Sequence, residues 1–217
     1  MRYIIMCGGI YNNWEQPRQL LKIRGEPIVA RTIRLLRECG VNDIAISSNY
    51  NTFKQFHVPL MYHNNNFTTN MKDCTGNWVN AFYPTSVPVC YLFGDVVFSP
   101  EAIKTIVETQ TDDIEFFASS PPFAPEYIKQ WAEPFAFKVV DTEHFGGAIA
   151  TTKYRKNEFK REPIAWELWQ VIKGTPLNEI DYGNYVAIND YTCDIDSPAD
   201  IELMEGVLNE IYGPYIP

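Results

Sequence analysis

The sequence lacks several features that would assign the chain to a common class at once. It contains no run of about 18 apolar residues, which argues against a membrane-spanning helix. No basic segment precedes the first apolar residues and no small-residue cleavage pattern follows them, so we predict no signal peptide. Lysine and arginine number 18 against 27 aspartates and glutamates, and the formal net charge is −9. An acidic chain without a Lys/Arg run is not expected to bind nucleic acid.

Patterns for disulfide or zinc chemistry are also missing. The five cysteines are scattered without a C-x-x-C pair, and the three histidines show no metal-ligand spacing. Such cysteines are typical of reduced thiols in a cytoplasmic protein rather than of a disulfide framework or a zinc site. Two nucleotide fingerprints are absent as well, because no G-x-G-x-x-G opens a helix and no G-K-[ST] completes a P-loop.

Hydrophobic periodicity predicts alternating strands and helices along the chain. The apolar run at 3–6 ends at Gly8 and Gly9, helical spacing extends from Pro27 to Gly40, and a second strand is predicted at 43–47. This order implies a right-handed crossover and a parallel strand pair. The sequence therefore predicts a single α/β domain with mixed insertions in its second half. Further strands are predicted at 58–63, 89–93, 114–119, 134–140, 147–154 and 185–188, and further helices at 76–82, 99–110, 164–172 and 198–211.

The two glycines after the first strand form a candidate phosphate site. In open α/β sheets, ligands bind beyond the carboxyl ends of the strands. Glycine lets backbone N–H groups approach phosphate oxygens closely. Arg18 and Lys22 lie downstream and could supply a cation. The alternative is an ordinary glycine turn that packs the strand against the following helix.

Two carboxylates lie at later strand ends. Asp95 follows the apolar run at 89–93, and Asp196 follows a strand-like segment and precedes a helix start at Ser197-Pro198. Mg²⁺ takes one or two carboxylates together with phosphate oxygens, so this pair would suit a magnesium–nucleotide site. The structural alternatives are a turn residue for Asp95 and a helix-cap partner for Asp196.

The order of these motifs resembles the GT-A-fold nucleotidyltransferases, which include sugar-1-phosphate nucleotidyltransferases, CTP:phosphocholine and methylerythritol-phosphate cytidylyltransferases, and molybdopterin-nucleotide enzymes. The resemblance is strongest at 3–47, 89–101 and 194–208, and elsewhere depends on the order of elements. It implies a Rossmann-like three-layer sandwich with a mostly parallel central sheet and a small mixed insertion lobe. The motifs that carry it are CGG at 7–9, PR at 17–18, GEPI at 25–28, GDVVF at 94–98 and DIDSPADIELM at 194–204.

For function, the resemblance implies transfer of a nucleotidyl group. A small phosphorylated acceptor, such as a sugar phosphate or a phosphocholine-like compound, would attack the α-phosphate of an NTP and release pyrophosphate. Arg18 stands at the position of the family's phosphate-binding lysine and would act in catalysis with Asp95, while Asp95 and Asp196 would hold Mg²⁺. The residues implied to contact the nucleotide are Cys7, Gly8, Gly9, Asn12, Asn13, Arg18 and Gly76.

Two departures from the family pattern leave alternatives open. Asn12, Asn13 and Trp14 occupy the place of the family's loop arginine, and Arg18 replaces a compact lysine charge with a planar fork of donors. The chain would then be an active enzyme with an altered triphosphate grip, a variant for an unusual acceptor, or a non-catalytic nucleotide-binding homologue. A GT-A glycosyltransferase that uses a nucleotide sugar is a further alternative, because residues 194–196 form an Asp-x-Asp motif.

The resemblance also divides the single domain, 1–217, into parts. Residues 1–120 would form a nucleotide-binding half, 121–190 an acceptor-side half, and 191–217 a closing metal-site loop and helix. Three tryptophans fall where the family builds its acceptor pocket or a dimer contact, which leaves a homodimer open. Core packing is the simpler interpretation of such large side chains. They are Trp131, Trp166 and Trp169.

Overall fold

The computed structural model describes residues 1–8, 14–63, 78–120, 132–161 and 164–216. Within these ranges, no helix combines the length and apolar character needed to cross a bilayer. The strands are β1 (Arg2–Met6), β2 (Lys22–Ile23), β3 (Glu26–Pro27), β4 (Ile44–Ser48), β5 (Leu60–Tyr62), β6 (Val89–Phe93), β7 (Val96–Val97), β8 (Ile114–Ala118), β9 (Pro134–Val139), β10 (Val186–Ala187) and β11 (Cys193–Asp194). The α-helices are α1 (Ile28–Glu38), α2 (Pro100–Glu108), α3 (Thr142–Phe159), α4 (Ala165–Ile172) and α5 (Pro198–Tyr212), and short 3₁₀-helices lie at Arg18–Leu20 and Asn51–Phe56.

Seven strands form the central sheet in the order β10-β8-β9-β6-β1-β4-β5. Every neighbouring pair is parallel except the two pairs that involve β9. In the interior strand β1, Ile4 pairs with Ala45 of β4 on one side and with Tyr91 of β6 on the other. The predicted parallel pair is therefore confirmed, and β1, β4 and β6 all deliver their carboxyl ends to one edge of the sheet.

Helices cover both faces of this sheet. In β9, the ring of Phe137 lies 5.8 Å from that of Phe145 in α3, whereas the next residue, Lys138, donates to the Val107 carbonyl of α2 at 3.1 Å. Successive strand residues point to opposite faces, so α2 and α3 lie on opposite sides of the sheet. Helix α1 packs beside α2, and α4 packs beside α3. The predicted Rossmann-like fold with a mostly parallel sheet is confirmed.

Buried apolar side chains fall into two clusters. The main core lies on both faces of the sheet and includes Ile5, Leu92, Phe116 and Phe137. The second core is smaller and brings together the ladders β2–β3 and β7–β11 with α5. Its buried members are Ile23, Ile28, Val97, Tyr191, Cys193, Ile195, Met204 and Leu208.

Two helix starts follow the capping chemistry expected from their sequences. The Ser99 hydroxyl accepts a hydrogen bond from the Ala102 N–H at 2.8 Å, with Pro100 in the first helical position. At α5, the Asp200 carboxylate accepts from the backbone N–H groups of Asp196 and Ser197, both at 2.8 Å. The capping box is thus confirmed, and it fixes the backbone of Asp196 to the first turn of α5.

Two predicted elements differ from the structure. Residues 147–154 were expected to form a strand but lie within α3, because the Asp141 side chain accepts from the His144 N–H at 2.8 Å and begins a helix. Phe145, Ala148 and Thr152 then face the core at helical spacing. Of the helix predicted at 76–82, residues 76 and 77 lie outside the described ranges, and 78–80 form a single 3₁₀ turn.

Candidate active site

The end of β1 is tied to the end of β4 beneath the candidate site. Cys7 is fully buried, its N–H donates to the Ser47 carbonyl at 2.8 Å, and its carbonyl accepts from the Ser48 hydroxyl at 2.8 Å. Burial, followed by the negative charge of Asp95, raises the pKa of the Cys7 thiol well above its ordinary value. The thiol therefore stays protonated at neutral pH. Gly8 follows as a half-buried residue, and the predicted contacts of Cys7 and Gly8 with nucleotide stay predictions.

The turn at Gly94 lies directly against the end of β1. The Gly94 N–H donates to the Met6 carbonyl at 3.1 Å. A Cβ atom at position 94 would collide with that same carbonyl oxygen and would lie 2.8 Å from the Cys7 sulfur. Glycine is required here for the close approach of two backbones. The approach sets Asp95, the next residue, beside the end of β1.

The short ladder β7–β11 brings the two acidic motifs together. Val96 of β7 pairs with Asp194 of β11 in antiparallel register. The ladder continues one step further, since the Ile195 N–H donates to the Asp95 carbonyl at 3.0 Å. Asp95 and Asp196 are therefore neighbours in space although they are far apart in sequence.

Arg18 bridges these two carboxylates. Its Nη2 lies 2.8 Å from Asp95 Oδ2, and its Nη1 lies 2.7 Å from Asp196 Oδ1 and donates to the Ile195 carbonyl at 2.8 Å. Burial lowers the pKa of the guanidinium, but the charges of Asp95 and Asp196 outweigh burial and the net pKa is raised. The Arg18 side chain is 25% exposed and that of Asp196 is 53% exposed, so the bridge borders solvent.

Two carboxylates that the sequence analysis did not assign to a metal lie beside Asp196. Glu133, Asp194 and Asp196 each offer an oxygen, and these atoms lie within 4.8 Å of one another. Glu133 is buried, and its backbone N–H donates to the Ser119 hydroxyl at 2.6 Å. Hard carboxylate oxygens at this spacing suit a divalent cation such as Mg²⁺. This group contains the predicted ligand Asp196, whereas Asp95 lies on the other arm of the Arg18 bridge.

The signals for these two additional residues differ in strength. Asp194 and Asp196 alternate in an extended segment, and alternate residues of such a segment lie on one face. In the sequence, the pair forms the Asp-x-Asp motif on which the glycosyltransferase alternative depends. Glu133 follows a proline-rich segment and precedes β9 without any repeating pattern, so only the fold brings it to the site.

Several predicted site residues lie outside the described ranges. They are Gly9, Asn12, Asn13 and Gly76, with Trp131 from the acceptor side, and their predicted contacts stay predictions. The other two tryptophans pack against Phe116 of the main core, with ring centroids 5.1 Å away for Trp166 and 5.5 Å away for Trp169. For both of them, core packing is observed.

Residues 3–145, well over half of the chain, match the family model of the MobA-like NTP transferase domain. The chain belongs to this family. No curated protein sequence matches it.

Solved structures with the same fold cover nearly the whole chain. A 4-diphosphocytidyl-2C-methyl-D-erythritol synthase from Anaerococcus prevotii has a TM-score of 0.58 at 15% identity, over 96% of this chain and 95% of that one. A protein from Bacillus anthracis assigned as a glucose-1-phosphate thymidylyltransferase has a TM-score of 0.57 at 14% identity, over 95% and 94%. The inositol-1-phosphate CTP transferase from T. maritima has a TM-score of 0.53 at 18% identity, over 95% and 96%. At these identities, the likeness establishes the fold.

Proposed function

We propose that the chain is a Mg²⁺-dependent nucleotidyltransferase that transfers an NMP unit from an NTP, either CTP or another, to a small phosphorylated acceptor. Membership of the NTP transferase family supports the reaction class. The similar structures named for glucose 1-phosphate and inositol 1-phosphate support a sugar-phosphate-like acceptor. A phosphocholine-like compound is likewise a small phosphate monoester. Pyrophosphate is the second product.

The observation that carries this proposal is the bridge from Arg18 to Asp95 and Asp196. Three charged side chains from distant parts of the chain meet at the carboxyl end of strand β1. That end of a parallel sheet is the usual place for a nucleotide. A guanidinium offers a planar fork of donors that matches two phosphate oxygens. The Arg18 guanidinium, which pairs with both aspartates, would turn to the triphosphate when an NTP binds.

Asp95 and Asp196 would hold the Mg²⁺ ion, with Glu133 and Asp194 as further oxygen donors beside Asp196. The chemistry of these donors supports the assignment, because Mg²⁺ binds through carboxylates plus substrate phosphates. The bound ion would neutralise part of the charge of the triphosphate. For the ion to bind, Asp95 and Asp196 would exchange their ion pairs with Arg18 for contacts with Mg²⁺.

The proposed reaction requires little covalent chemistry from the protein. An oxygen of the acceptor phosphate forms a bond to the α-phosphorus, while the bond from that phosphorus to the bridging oxygen breaks and its electron pair leaves with pyrophosphate. Arg18 would stabilise the negative charge on the leaving oxygens. Backbone N–H groups at Gly8 and Gly9 would orient the phosphates for in-line attack.

A GT-A glycosyltransferase is the second candidate function. It is favoured by one observation, namely that Asp194 and Asp196 of the Asp-x-Asp motif lie in one carboxylate group with Glu133. In this alternative, the cation would hold the diphosphate of a nucleotide sugar. The family match favours the nucleotidyltransferase, because it is a match to NTP transferases. A non-catalytic nucleotide-binding homologue is the third alternative.

The proposal keeps the division of the domain into a nucleotide half at 1–120, an acceptor side at 121–190 and a closing metal-site segment at 191–217. The site supports this division in part, because Arg18 and Asp95 come from the first segment and Asp196 from the last. A cytoplasmic location and a homodimer complete the proposal.

Thermal unfolding with ATP, CTP, GTP or UTP, each with and without Mg²⁺, tests the nucleotide site first. A ligand at a hundred times its dissociation constant stabilises a protein by about 2.7 kcal/mol. We expect one NTP to stabilise the wild type in a Mg²⁺-dependent way and Asp95→Asn to lose this shift. Asp43→Asn is the matched control, because Asp43 pairs with Arg2 at the surface and is 54% exposed.

Pyrophosphate release with a panel of sugar phosphates and phosphocholine then tests turnover. Release that is lost in Asp95→Asn and kept in Asp43→Asn supports the proposal. Full activity in Asp95→Asn would contradict the role of this carboxylate. Binding of an NTP without release for any acceptor would favour the non-catalytic alternative, and a Mg²⁺-dependent shift with nucleotide sugars alone would favour the glycosyltransferase.

A further inference from the structure

A cavity of about 410 Å³ lies between α3 and the segment that enters β6. It is bordered by Tyr91 in the middle of β6 and by Val139, which pairs with the first residue of that strand. His63, which follows the carboxyl end of β5, also borders the cavity, but Arg18, Asp95 and Asp196 do not line it. The cavity volume is within the range of about 300–1,000 Å³ found for small-molecule sites.

Aromatic rings form the inner wall of this cavity. The ring of Phe145 lies 5.0 Å from that of Phe82 in an edge-to-face arrangement, and 5.8 Å from the ring of Tyr91 in a stacked one. The Tyr91 hydroxyl donates to the Tyr83 carbonyl, so its polar atom is already bonded. Because these rings pack against one another and are only 2–4% exposed, they form a rigid apolar wall, which favours an apolar or aromatic ligand.

A cation borders the same cavity. Phe145, Ile149 and Lys153 follow one another at helical spacing along α3, and all three line it. Within the described ranges, no carboxylate pairs with Lys153, which is half-buried. An ammonium group beside an aromatic pocket is suited to an anionic group on an otherwise apolar ligand.

Gly146 gives an independent indication that the cavity is kept open by the choice of residue in α3. Glycine in a helix interior destabilises the helix relative to alanine. Gly146 nevertheless stands within α3 and lines the cavity, and a Cβ atom there would meet nothing within 4 Å. Neither backbone conformation nor crowding requires glycine at this position. A larger side chain would instead enter the cavity.

We propose that this cavity is a binding site for a small aromatic anion, separate from the nucleotide site. The ring of the ligand would lie against the wall formed by Phe82, Tyr91 and Phe145, and its carboxylate, sulfonate or phosphate group would pair with Lys153. The inference does not depend on the proposed nucleotidyl transfer, because it uses none of the residues of that site.

Fluorescence titration with 8-anilinonaphthalene-1-sulfonate, an aromatic anion of suitable size, tests this site in the full chain. We expect one bound probe per chain that a mixture of the four NTPs with Mg²⁺ does not displace. Gly146→Leu should weaken binding at least tenfold by filling the cavity. Gly147→Leu is the matched control, since Gly147 is also helical and open to solvent but does not line the cavity.

Lys153→Gln separates the charge from the apolar wall. It should weaken binding of the sulfonate about tenfold but leave binding of the uncharged analogue N-phenyl-1-naphthylamine unchanged. Equal effects of Gly146→Leu and Gly147→Leu, displacement of the sulfonate by the nucleotides, or equal loss of both probes in Lys153→Gln would each overturn the proposal.

Discussion

The two cores of this molecule are built in different ways. In the main core, whole strands are buried, as in β4 and β6, where every residue is buried. The second core has eight buried side chains, which come from two-residue strands, the loops beside them, the first residue of α1 and one face of α5. A sheet whose strands are buried on both faces supplies its own framework. The second core has no such framework and depends on its contact with the first.

The candidate site lies at the boundary between these two cores. Asp95 stands between β6 of the main sheet and β7 of the second core. Arg18 and Asp196 flank the second core, where Ile195 is buried between the site and α5. The comparison shows that the main core fixes the place of the site, while the second core fixes the relative positions of its charged groups.

The largest effects are expected when one buried side chain is truncated in each core, and the two variants should differ in how they affect nucleotide binding. Phe116→Ala should destabilise the fold by about 4 kcal/mol, since Phe116 is fully buried among aromatic rings, and Met204→Ala should cost about 3 kcal/mol. We expect only Met204→Ala to reduce the stabilisation by the preferred Mg²⁺–NTP pair, because Met204 packs with Ile195 beside Asp196.

Urea unfolding of both variants, with and without the nucleotide, measures this difference. The comparison of the cores would fail if Phe116→Ala reduced the nucleotide effect as much as Met204→Ala. It would be sharpened if hydrogen exchange in Met204→Ala rose in α5 alone.

The next effect concerns the contact between the cores at Gly94. Gly94→Ala places a Cβ atom against the Met6 carbonyl and the Cys7 sulfur, and backbone cannot yield as a flexible side chain can. Overpacking of this kind costs about 1–3 kcal/mol. We expect a loss in this range together with at least tenfold weaker nucleotide binding, because Asp95 would move away from β1.

Gly206→Ala is the control for this substitution. Gly206 lies in α5, and a Cβ atom at this position would meet nothing within 4 Å, so alanine should be neutral or stabilise the helix by about 0.5–1 kcal/mol. Chemical denaturation and isothermal titration with nucleotide measure both variants. Similar behaviour of the two alanine variants would contradict the close-approach argument.

The same contrast explains how much of the molecule could be predicted from sequence. The strands β1 and β6 are continuous apolar runs, and the starts of α2 and α5 carry Ser-Pro caps, so local patterns were sufficient to predict them. Helix α3 is not predicted because Gly146 and Gly147 have low helix propensity and the β-branched residues that follow them favour a strand. Its Asp141 cap was the signal that could have corrected this.

The candidate site could be predicted only where its residues stand at strand ends. Asp95 and Asp196 are predicted in this way, Arg18 is predicted from its place after the glycine loop and from the resemblance, and the structure brings all three together. Glu133 reaches the group through pairing across the sheet with Ser119, a contact that no local pattern encodes. The two-residue ladder β7–β11 is likewise too short to produce a periodic signal.

A smaller loss of stability is expected when the hydrogen bonds between the hairpin β2–β3 and the end of α5 are removed. Arg24 donates from Nη1 to the Leu208 carbonyl at 2.8 Å and from Nη2 to the Gly213 carbonyl at 3.0 Å, which satisfies carbonyls near the C-terminus of the helix. Arg24→Ala should cost about 1–2 kcal/mol through the loss of these charge-assisted bonds. Arg34→Ala, which removes ion pairs of a 44% exposed arginine, should cost less than about 1 kcal/mol.

Equilibrium unfolding in urea ranks the two arginine variants. We also expect faster hydrogen exchange in the last turn of α5 for Arg24→Ala and no such change for Arg34→Ala. A larger loss of unfolding free energy for Arg34→Ala would mean that the surface ion pairs of α1 stabilise this part of the molecule more than the hydrogen bonds from Arg24 to the end of α5.

The smallest effect tests a charge within the main sheet. Burial raises the pKa of Glu115 above its ordinary value of 4.5, although a backbone N–H and Lys138, its partner across β8 and β9, oppose this in part. Over the pH range that begins near 4.5 and extends to the raised value, the folded state binds more protons than the unfolded state. The free energy of unfolding of the wild type must therefore fall, relative to that of Glu115→Gln, as the pH rises through this range. Urea unfolding of both proteins between pH 4 and pH 7 measures the difference, and a difference that is constant or grows in favour of the wild type with rising pH would show that Lys138 outweighs burial at this position.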